Sequence, residues 1–402
     1  MSNRSKKRAS GFSLLEMVIA MGLGTLVLGA AVQLYSQGVG ATWTVSQRAE
    51  MQQDFRAASN MLVKDLSLAG AGLPNAAAIT LPSTVNPLIG CDQSGTCYLG
   101  ASNTAGLPYP KQGTTPYLYG LIPGYNGGPT ISTPPGQTDS ITVVYTDTAF
   151  YLNCYAPTLT AKGVVTFAPV VTVPATPWPP PGCLPTGVTA AAGVAPQYIN
   201  DPVVGLTAGD LVLMTFNGAT MVAEVTGAPT STGANTYTVP FANGDVLHMN
   251  QTSSAVNDYL NGVLRNSTAA ATQAPCGRTG PCRIFVITYY IDGRVSPPRL
   301  MRQVSGHPPM PVTDSNVYMK FNYDLYNDAA SAPAIGCQNP GVSGDVCVSG
   351  SSTGLLPNQI TKINILHLAT DSQLHGTQGY QGLDLETSVS ARNLTYANTY
   401  PQ

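Results

Sequence analysis

The chain contains little charge, and this scarcity excludes one large class of function. Charged residues make up only 9% of its 402 residues, against about 25% in average soluble proteins. Between Leu66 and Asn257 the only basic residues are Lys111 and Lys162. A protein that binds nucleic acid needs a basic patch to meet the phosphates, and this half of the chain has none. We therefore expect no nucleic acid among its partners.

Sequence patterns of zinc proteases and of structural zinc sites are also missing. The chain has no H-E-x-x-H motif, its cysteines show no C-x2-C spacing, and its 4 histidines are scattered. We expect no enzymatic activity, no cofactor and no zinc. A calcium site stays open as an alternative, because oxygen ligands in loops suit this ion. The acids considered for it lie near cysteines and lack the EF-hand pattern: Asp92, Asp324, Asp328 and Asp345.

One long apolar run stands near the N-terminus and reads GFSLLEMVIAMGLGTLVLGAAV from Gly11 to Val32. About 20 apolar residues suffice to cross a bilayer as a helix. Glu16 is the only charge in the run, and a carboxylate in such a position is costly and typical of a functional residue. A basic flank precedes the run and predicts a cytoplasmic N-terminus: Arg4, Lys6, Lys7 and Arg8.

The segment Gly11-Phe12-Ser13-Leu14-Leu15-Glu16 resembles the cleavage and methylation motif of type IV prepilins. The resemblance implies that a prepilin peptidase cuts after Gly11 and N-methylates the new first residue, Phe12. It also implies that Glu16 recruits and registers the incoming subunit during assembly, by pairing with the amine of Phe12 on a neighbouring chain. An ordinary signal peptide has a small-residue cleavage site after its apolar core, whereas Gly11 precedes the core.

Pieces of sequence further along the chain resemble those of the PilW-type minor pilins. They are DFRAASNMLVKDLSLAGAG, the GDLVLM hairpin, ITYYID followed by Leu300-Met301-Arg302, and the closing SVSARN. The resemblance implies an α+β, type IV pilin-like fold. In that fold the first half of a long N-terminal helix crosses the membrane. A mainly antiparallel β-sheet head with long Pro/Gly-rich loops packs on the second half.

We predict three parts of the chain: a basic leader at 1–11, a transmembrane and filament-core helix at 12–70, and a disulfide-stapled β-rich head at 71–402. Beyond the membrane run, apolar residues recur at intervals of three and four, which predicts one buried helix face. Asp65 is assigned to another, polar face of this helix. The apolar stripe comprises Met51, Phe55, Ala58, Leu62, Leu66 and Ala69, and the stop signals are Gly70, Gly72 and Pro74.

Strands in the head are predicted from β-branched content and from alternation of apolar and polar residues. Two hairpins stand out, Leu206–Gly227 around Asn217-Gly218 and Arg283–Val304 around Asp292-Gly293, because Asn-Gly and Asp-Gly favour two-residue hairpin turns. Further strands are expected at Ser140–Thr146, Gly163–Val173, Val317–Leu325, Ile360–Ala369 and Leu383–Leu394.

Two segments are too rich in proline and glycine for long regular elements. Residues 71–137 are expected to form loops, and no helix can run through them. Residues 174–202 are expected to form a rigid surface loop, with a polyproline ligand for a partner as the alternative.

Eight cysteines fall in four pairs that are close in sequence. An even number on a chain exported past the inner membrane predicts disulfides. About 105 connectivities exist for eight cysteines, so the local pairing is one choice among many. The candidate pairs are Cys91 with Cys97, Cys154 with Cys183, Cys276 with Cys282, and Cys337 with Cys347.

The resemblance implies a minor pilin-like subunit that takes part in assembly or priming of a type IV pilus. Two alternatives share the same N-terminus: a J-type pseudopilin of a type II secretion system, and an adhesive head on a pilin anchor. The expected partners are prepilin peptidase, other minor and major pilins, the inner-membrane assembly platform and membrane lipid. The expected location is the inner membrane, with one pass and a periplasmic head, and afterwards the pilus or cell surface.

Overall fold

The structure is a computed structural model of the chain. It describes residues 11–74, 78–83, 85–132, 135–161, 163–169, 198–216, 219–233, 235–250, 281–326, 333–340, 345–371 and 382–394. Several sequence expectations lie wholly or partly outside these ranges. They concern the basic leader, the Asn217-Gly218 turn, most of the segment at 174–202, Asp328, Cys183 and Cys276.

One long helix, α1, runs from Leu14 to Ser67, slightly shorter than the predicted 12–70. It continues without a break through Gly22 and Gly24. The chain divides into two compact units, and the described part of the first is residues 11–53. The second unit begins at Asp54 and contains the last turns of α1 together with every strand of the head.

The end of α1 is fixed by glycines at the predicted place. Gly70 and Gly72 have φ angles of 78° and 73°, a left-handed conformation that glycine adopts without the steric cost of a Cβ. A Cβ on Gly72 would also overlap with Oγ1 of Thr146. The chain therefore turns back at this point, and the Gly70 N–H donates to the carbonyl of Val144 at 2.9 Å.

Every strand pairing among the described residues is antiparallel. A helix followed by antiparallel sheets confirms the predicted α+β fold. The strands are β1 Ala78–Thr80, β2 Leu88–Ile89, β3 Leu107–Pro108, β4 Lys111–Gln112, β5 Thr115–Tyr119, β6 Leu121–Gly124, β7 Thr130–Ser132, β8 Pro135–Gln137, β9 Ser140–Thr146, β10 Tyr155–Ala161, β11 Val164–Pro169, β12 Leu211–Phe216, β13 Ala219–Glu224, β14 Thr230–Gly233, β15 Thr236–Pro240, β16 Cys282–Asp292, β17 Arg299–Val304, β18 Met310–Asp314, β19 Asn316–Leu325, β20 Ala334–Cys337, β21 Ile360–Asp371 and β22 Gly382–Ser390.

Two larger sheets dominate the head. The first has seven strands and is centred on β16, which pairs with β9, β12 and β17, while β6, β13 and β18 extend it. The second has four strands in the order β20, β19, β21, β22. A separate four-stranded sheet joins β10, β11, β15 and β14.

The main hydrophobic core lies under the two larger sheets and receives the end of α1. Phe55, Ala58, Leu62 and Leu66 of the predicted stripe are buried there. Leu62 and Leu66 have no exposed surface at all, and burying a leucine side chain contributes about 1.5–3 kcal/mol. A second cluster lies under β10, β11, β12 and β13.

Three sequence expectations need correction. Asp65, assigned to a polar face, is only 5% exposed, because strand side chains described below bind its carboxylate. The hairpin predicted to turn at Asp292-Gly293 instead has the longer connection 293–298, since Asp292 pairs with Arg299. Residues 71–137 hold eight short strands, β1 to β8, rather than loops alone.

Candidate functional site

The N-terminal motif forms the start of α1. Ser13 precedes the first helical residue, and its Oγ accepts hydrogen bonds from the N–H groups of Leu15 at 3.2 Å and Glu16 at 3.4 Å. In return the Ser13 N–H donates to Oε2 of Glu16 at 3.0 Å. This reciprocal pair is a capping box, which satisfies N–H groups that have no partner inside the helix. The carboxylate also lies at the positive end of the helix dipole.

Gly11 and Phe12 lie outside the helix, just ahead of this cap. Phe12 is 91% exposed. Apart from its chain neighbours, no described residue has an atom within 4 Å of the position where a Cβ on Gly11 would stand. The peptide bond between them is therefore open to an enzyme that approaches from outside the helix.

The apolar part of α1 has its side chains exposed in the single chain. Every residue from Gly11 to Thr42 is exposed. Within the described ranges, α1 is the only helix long and apolar enough to cross a membrane. Its hydroxyl groups bond to its own backbone: Oγ1 of Thr25 donates to the carbonyl of Gly22 at 2.9 Å, and Oγ1 of Thr42 to that of Gly38 at 2.9 Å. Such bonds allow polar residues to lie in an apolar setting.

The last turns of α1 carry a second acid in apolar surroundings, Asp65. Its Oδ2 accepts hydrogen bonds from the hydroxyl of Tyr289 at 2.7 Å and from Nε of Arg302 at 2.9 Å. Its Oδ1 accepts a weaker bond from the hydroxyl of Tyr145 at 3.5 Å. Burial, together with the charge of Asp65, raises the pKa of Tyr289 well above its ordinary value, so this hydroxyl keeps its proton and remains a donor. The cluster ties α1 to β9, β16 and β17.

Disulfides join two of the predicted cysteine pairs. Cys91 bonds to Cys97, and Cys337 bonds to Cys347. Cys154 and Cys282 are also disulfide-bonded. Their assignment to Cys183 and Cys276 stays a prediction, because those two residues lie outside the described ranges.

Asp92 and Asp345, two of the acids considered for calcium, are bound by groups of the protein itself. Asp92 Oδ1 accepts bonds from the N–H groups of Ser94 at 2.9 Å and Thr96 at 3.1 Å. Asp345 Oδ1 accepts the N–H groups of Gln338 at 3.1 Å and Asn339 at 2.7 Å. These contacts are typical of acids that stabilise turns. Asp345 also lies beside Cys337 and Cys347, whose sulfurs are joined to each other and not available as thiolates.

Two functional features escaped the sequence reasoning. The spacing Ser13-x-x-Glu16 is a capping-box signature that can be read from the sequence, and it lies within the cleavage motif. The partners of Asp65 had no local signal, because Tyr289 and Arg302 follow it by 224 and 237 residues.

Comparison with known proteins bears on the N-terminal segment. Residues 6–32 match the family model described as the prokaryotic N-terminal methylation motif. This match covers Gly11, Phe12, Ser13 and Glu16, the residues that form the cap and the exposed bond before it. No curated protein and no solved structure matched the chain.

Proposed function

We propose that this chain, which carries a prepilin-type N-terminal methylation motif, is a minor pilin-like subunit that takes part in assembly or priming of a type IV pilus. In this proposal residues 1–11 are a leader that is removed, residues 12–70 anchor the subunit and enter the filament core, and residues 71–402 form the head. One observation carries the proposal. The motif stands directly before an exposed apolar helix, and that helix ends inside a disulfide-bonded β-sheet head.

The geometry at the N-terminus supports processing after Gly11. The helix begins only at Leu14, so a peptidase meets non-helical chain at the Gly11–Phe12 bond. Glycine before the bond leaves the backbone uncovered. Cleavage frees the amine of Phe12, which we propose becomes N-methylated.

The exposed apolar helix supports a membrane location before assembly. We propose that residues after Gly11 cross the inner membrane once, with the N-terminus in the cytoplasm because the leader is basic and with the head in the periplasm. The disulfides of the head agree with an oxidising compartment. The proposed partners are prepilin peptidase, membrane lipid, the inner-membrane assembly platform and other minor and major pilins.

Glu16 is proposed to act in assembly through an exchange of partners. In the single chain its carboxylate accepts the Ser13 N–H. In the filament it would pair with the amine of Phe12 on a neighbouring subunit, because a pair lowers the cost of two charges in apolar surroundings. Ser13 would then lose one acceptor while keeping its own Oγ as the helix cap.

Processing is tested by the mass of the protein isolated from its native membrane. We expect the chain to begin at N-methyl-Phe12, and we expect Gly11→Glu to retain the leader. Gly40→Glu is the control, because Gly40 is an equally open glycine of α1 but lies beyond the matched motif. It should be cleaved normally. A wild-type chain that begins elsewhere, or normal cleavage of Gly11→Glu, contradicts the proposal.

Chemical cross-linking in membranes followed by mass spectrometry tests whether the chain belongs to a type IV pilus or to a type II secretion system. Recovery of other minor pilins supports the pilus assignment. Recovery of secretion-system pseudopilins instead assigns the chain to a type II secretion system and overturns the pilus proposal, while leaving the processing result intact.

A further inference from the structure

Three side chains from distant parts of the head meet at one point: Lys320, Asn126 and Asp139. Nζ of Lys320 lies 2.8 Å from Oδ1 of Asn126 and 2.8 Å from Oδ1 of Asp139. The lysine and aspartate side chains are 17% and 3% exposed. An amine, a carboxamide and a carboxyl group are therefore in contact and largely shielded from water.

The backbone holds this cluster in place from both larger sheets. Asp139 directly precedes β9, and its N–H donates to the carbonyl of Met319 at 2.9 Å. Its Oδ2 accepts the N–H of Phe321 at 3.0 Å, so Asp139 contacts β19 on both sides of Lys320. Asn126 lies in the turn after β6 with a φ of 52°, and its N–H donates to Oδ1 of Asp139 at 2.8 Å. The three reacting groups thus have fixed relative positions.

The surroundings disfavour a permanent pair of charges. Burial raises the pKa of the Asp139 carboxyl above its ordinary value, although Lys320 and two backbone N–H groups oppose this shift. The ring of Tyr125 covers Nζ of Lys320 at 4.9 Å from the ring centre. Away from water, transfer of the ammonium proton to the carboxylate removes two charges and costs less than it does in water. The neutral amine that results is a nucleophile.

We propose that Lys320 and Asn126 form an intramolecular isopeptide bond, with Asp139 as the carrier of the proton. The juxtaposition of these three groups is the observation that carries the proposal, and it does not depend on the role of the chain in a pilus.

The reaction needs no further reagent. Asp139 takes a proton from Nζ of Lys320, and the amine attacks Cγ of Asn126 to form a C–N bond. In the tetrahedral intermediate Nζ carries one surplus proton, which passes to Nδ2, and the C–Nδ2 bond then breaks. Asp139 gives the proton that it holds to the departing ammonia. The products are one secondary amide and one ammonium ion, and Asp139 ends as a carboxylate. Holding amine and amide in contact replaces a slow bimolecular encounter with a step inside one molecule.

The chain contains a natural control in the pair Lys111 and Asn86. Nζ of Lys111 lies 2.7 Å from Oδ1 of Asn86, so the same two groups touch. Both residues are exposed, and among the described residues no carboxylate is paired with this lysine. That pair therefore lies in water and, among the described residues, has no carboxylate placed to take the proton from Nζ. We expect no bond at this second pair.

The bond would connect two sheets that share no strand. It would close a loop between residues separated by 194 positions and would link the turn after β6 to the middle of β19. Such a link transmits force between sheets through a covalent bond rather than through packed side chains.

The test is peptide mapping of the full-length protein purified from its own membrane, after reduction and digestion with a protease that does not cut at lysine. The expected product is a branched peptide that joins the segments around Asn126 and Lys320, lighter than their sum by one ammonia. Separate, unmodified peptides would overturn the proposal. A branched peptide lighter by one water would assign the link to Asp139 and would overturn the assignment to Asn126.

Two variants separate the chemical role of each residue from folding. Lys320→Arg keeps a cation beside Asp139 but has no amine suited to the attack, so the branched peptide should disappear. Asp139→Asn keeps the size of the side chain but cannot carry the proton, and the yield should fall at least tenfold. An unchanged yield in Asp139→Asn would contradict its role. The Cys91–Cys97 disulfide and the circular dichroism spectrum report whether each variant is folded, and peptides from the Lys111–Asn86 pair should stay unlinked in all samples.

Discussion

The two ends of α1 hold a carboxylate in apolar surroundings by different means. At the start, Glu16 is exposed, and within the part of the chain that the structure describes its carboxylate is bound by Ser13, the cap of its own helix. Near the end, Asp65 is buried and is bound by Tyr289 and Arg302 of the head. A local partner one turn away can be given up when a better one arrives, whereas partners from two strands of a sheet cannot leave unless the head unfolds. Glu16 is therefore suited to exchanging its partner, whereas Asp65 is suited to keeping its partners permanently.

The largest effect is expected from Asp65→Ala. The change leaves the partly buried guanidinium of Arg302 and the hydroxyl of Tyr289 without their acceptor. Removing one member of such a pair costs about 3–5 kcal/mol, and because the Arg302 side chain is 25% exposed we expect about 3 kcal/mol. Chemical denaturation of the detergent-solubilised full chain, followed by tyrosine fluorescence, measures this loss.

The matched control is the double variant Asp65→Leu with Arg302→Met, which removes both charges and fills the space with apolar atoms. It should be more stable than Asp65→Ala, since replacing a buried ion pair by apolar residues is often nearly neutral. Equal losses in the two proteins would show that the pair itself contributes little and that packing of α1 dominates.

A third acid, Glu224, extends the comparison because it is buried like Asp65 but its partner is another acid. Glu224 is 2% exposed, and its carboxyl group hydrogen-bonds to that of Asp245. Asp245 accepts the N–H groups of Met249 at 2.6 Å and Asn250 at 2.9 Å. Burial and then the neighbouring Asp245 raise the pKa of Glu224 well above its ordinary value. The folded head therefore keeps a proton that the unfolded chain releases.

The head should lose stability as the pH rises from the ordinary pKa of a glutamate carboxyl group to the raised pKa of Glu224. Below the ordinary carboxyl pKa both states hold the proton and the stabilisation is complete. Above it the unfolded chain ionises first, so the free energy of unfolding falls by up to about 1.4 kcal/mol per pH unit until the folded pKa is reached. Denaturation between about pH 5 and about pH 9 measures this slope. Glu224→Gln cannot ionise and should flatten it, whereas an unchanged slope would contradict the assignment.

The smallest effect on the stability of the head is expected from Glu16, although the effect on assembly is large. Glu16→Ala should give a membrane-inserted, cleaved protein that enters filaments poorly, because the amine of Phe12 then lacks its partner. Glu16→Gln is the sharper change, since its amide oxygen can still accept the Ser13 N–H but carries no charge. Sheared filaments are assayed for the subunit, and cleavage is measured in the same strains.

The two Glu16 variants show whether assembly depends on the negative charge of Glu16 or on its hydrogen bond to the helix cap. Poor incorporation of both variants supports the charge, and normal incorporation of Glu16→Gln alone would show that the helix cap is what matters. Ser13→Ala is the control, because it removes the Oγ cap but leaves the carboxylate. It should loosen the first turn, seen as faster hydrogen exchange at Leu15 and Glu16, while incorporation stays near normal.

Sequence reasoning found the features whose signals are local. The stripe containing Phe55, Leu62 and Leu66 follows from helical periodicity, and each of these side chains is buried. The strand at Ser140–Thr146 has the predicted bounds. The α+β fold followed from a resemblance in the N-terminal motif and scattered later pieces, rather than from any single pattern.

Features that depend on distant partners could not be predicted. An acid such as Asp65 at the edge of an apolar face looks solvent-exposed until Arg302 is known to lie beside it. The meeting of Asn126, Asp139 and Lys320 depends on how two sheets pack, which alternation within one strand does not encode. The connection at 293–298 likewise differs from the favoured Asp-Gly turn because strand register there is set by pairing along β16 and β17.

The order of strands in the seven-stranded sheet has a consequence for the time at which the head can fold. Its central strand, Cys282–Asp292, pairs with Ser140–Thr146, which precedes it by more than a hundred residues. Asp65 binds Arg302, which follows it by 237 residues, so this contact also forms late in synthesis. Closing such long loops delays productive contacts and slows folding. Val389 and Leu394 belong to the same hydrophobic core. The head therefore cannot complete this core until nearly the whole chain has been synthesised, and exposed strand edges need protection from aggregation during that interval.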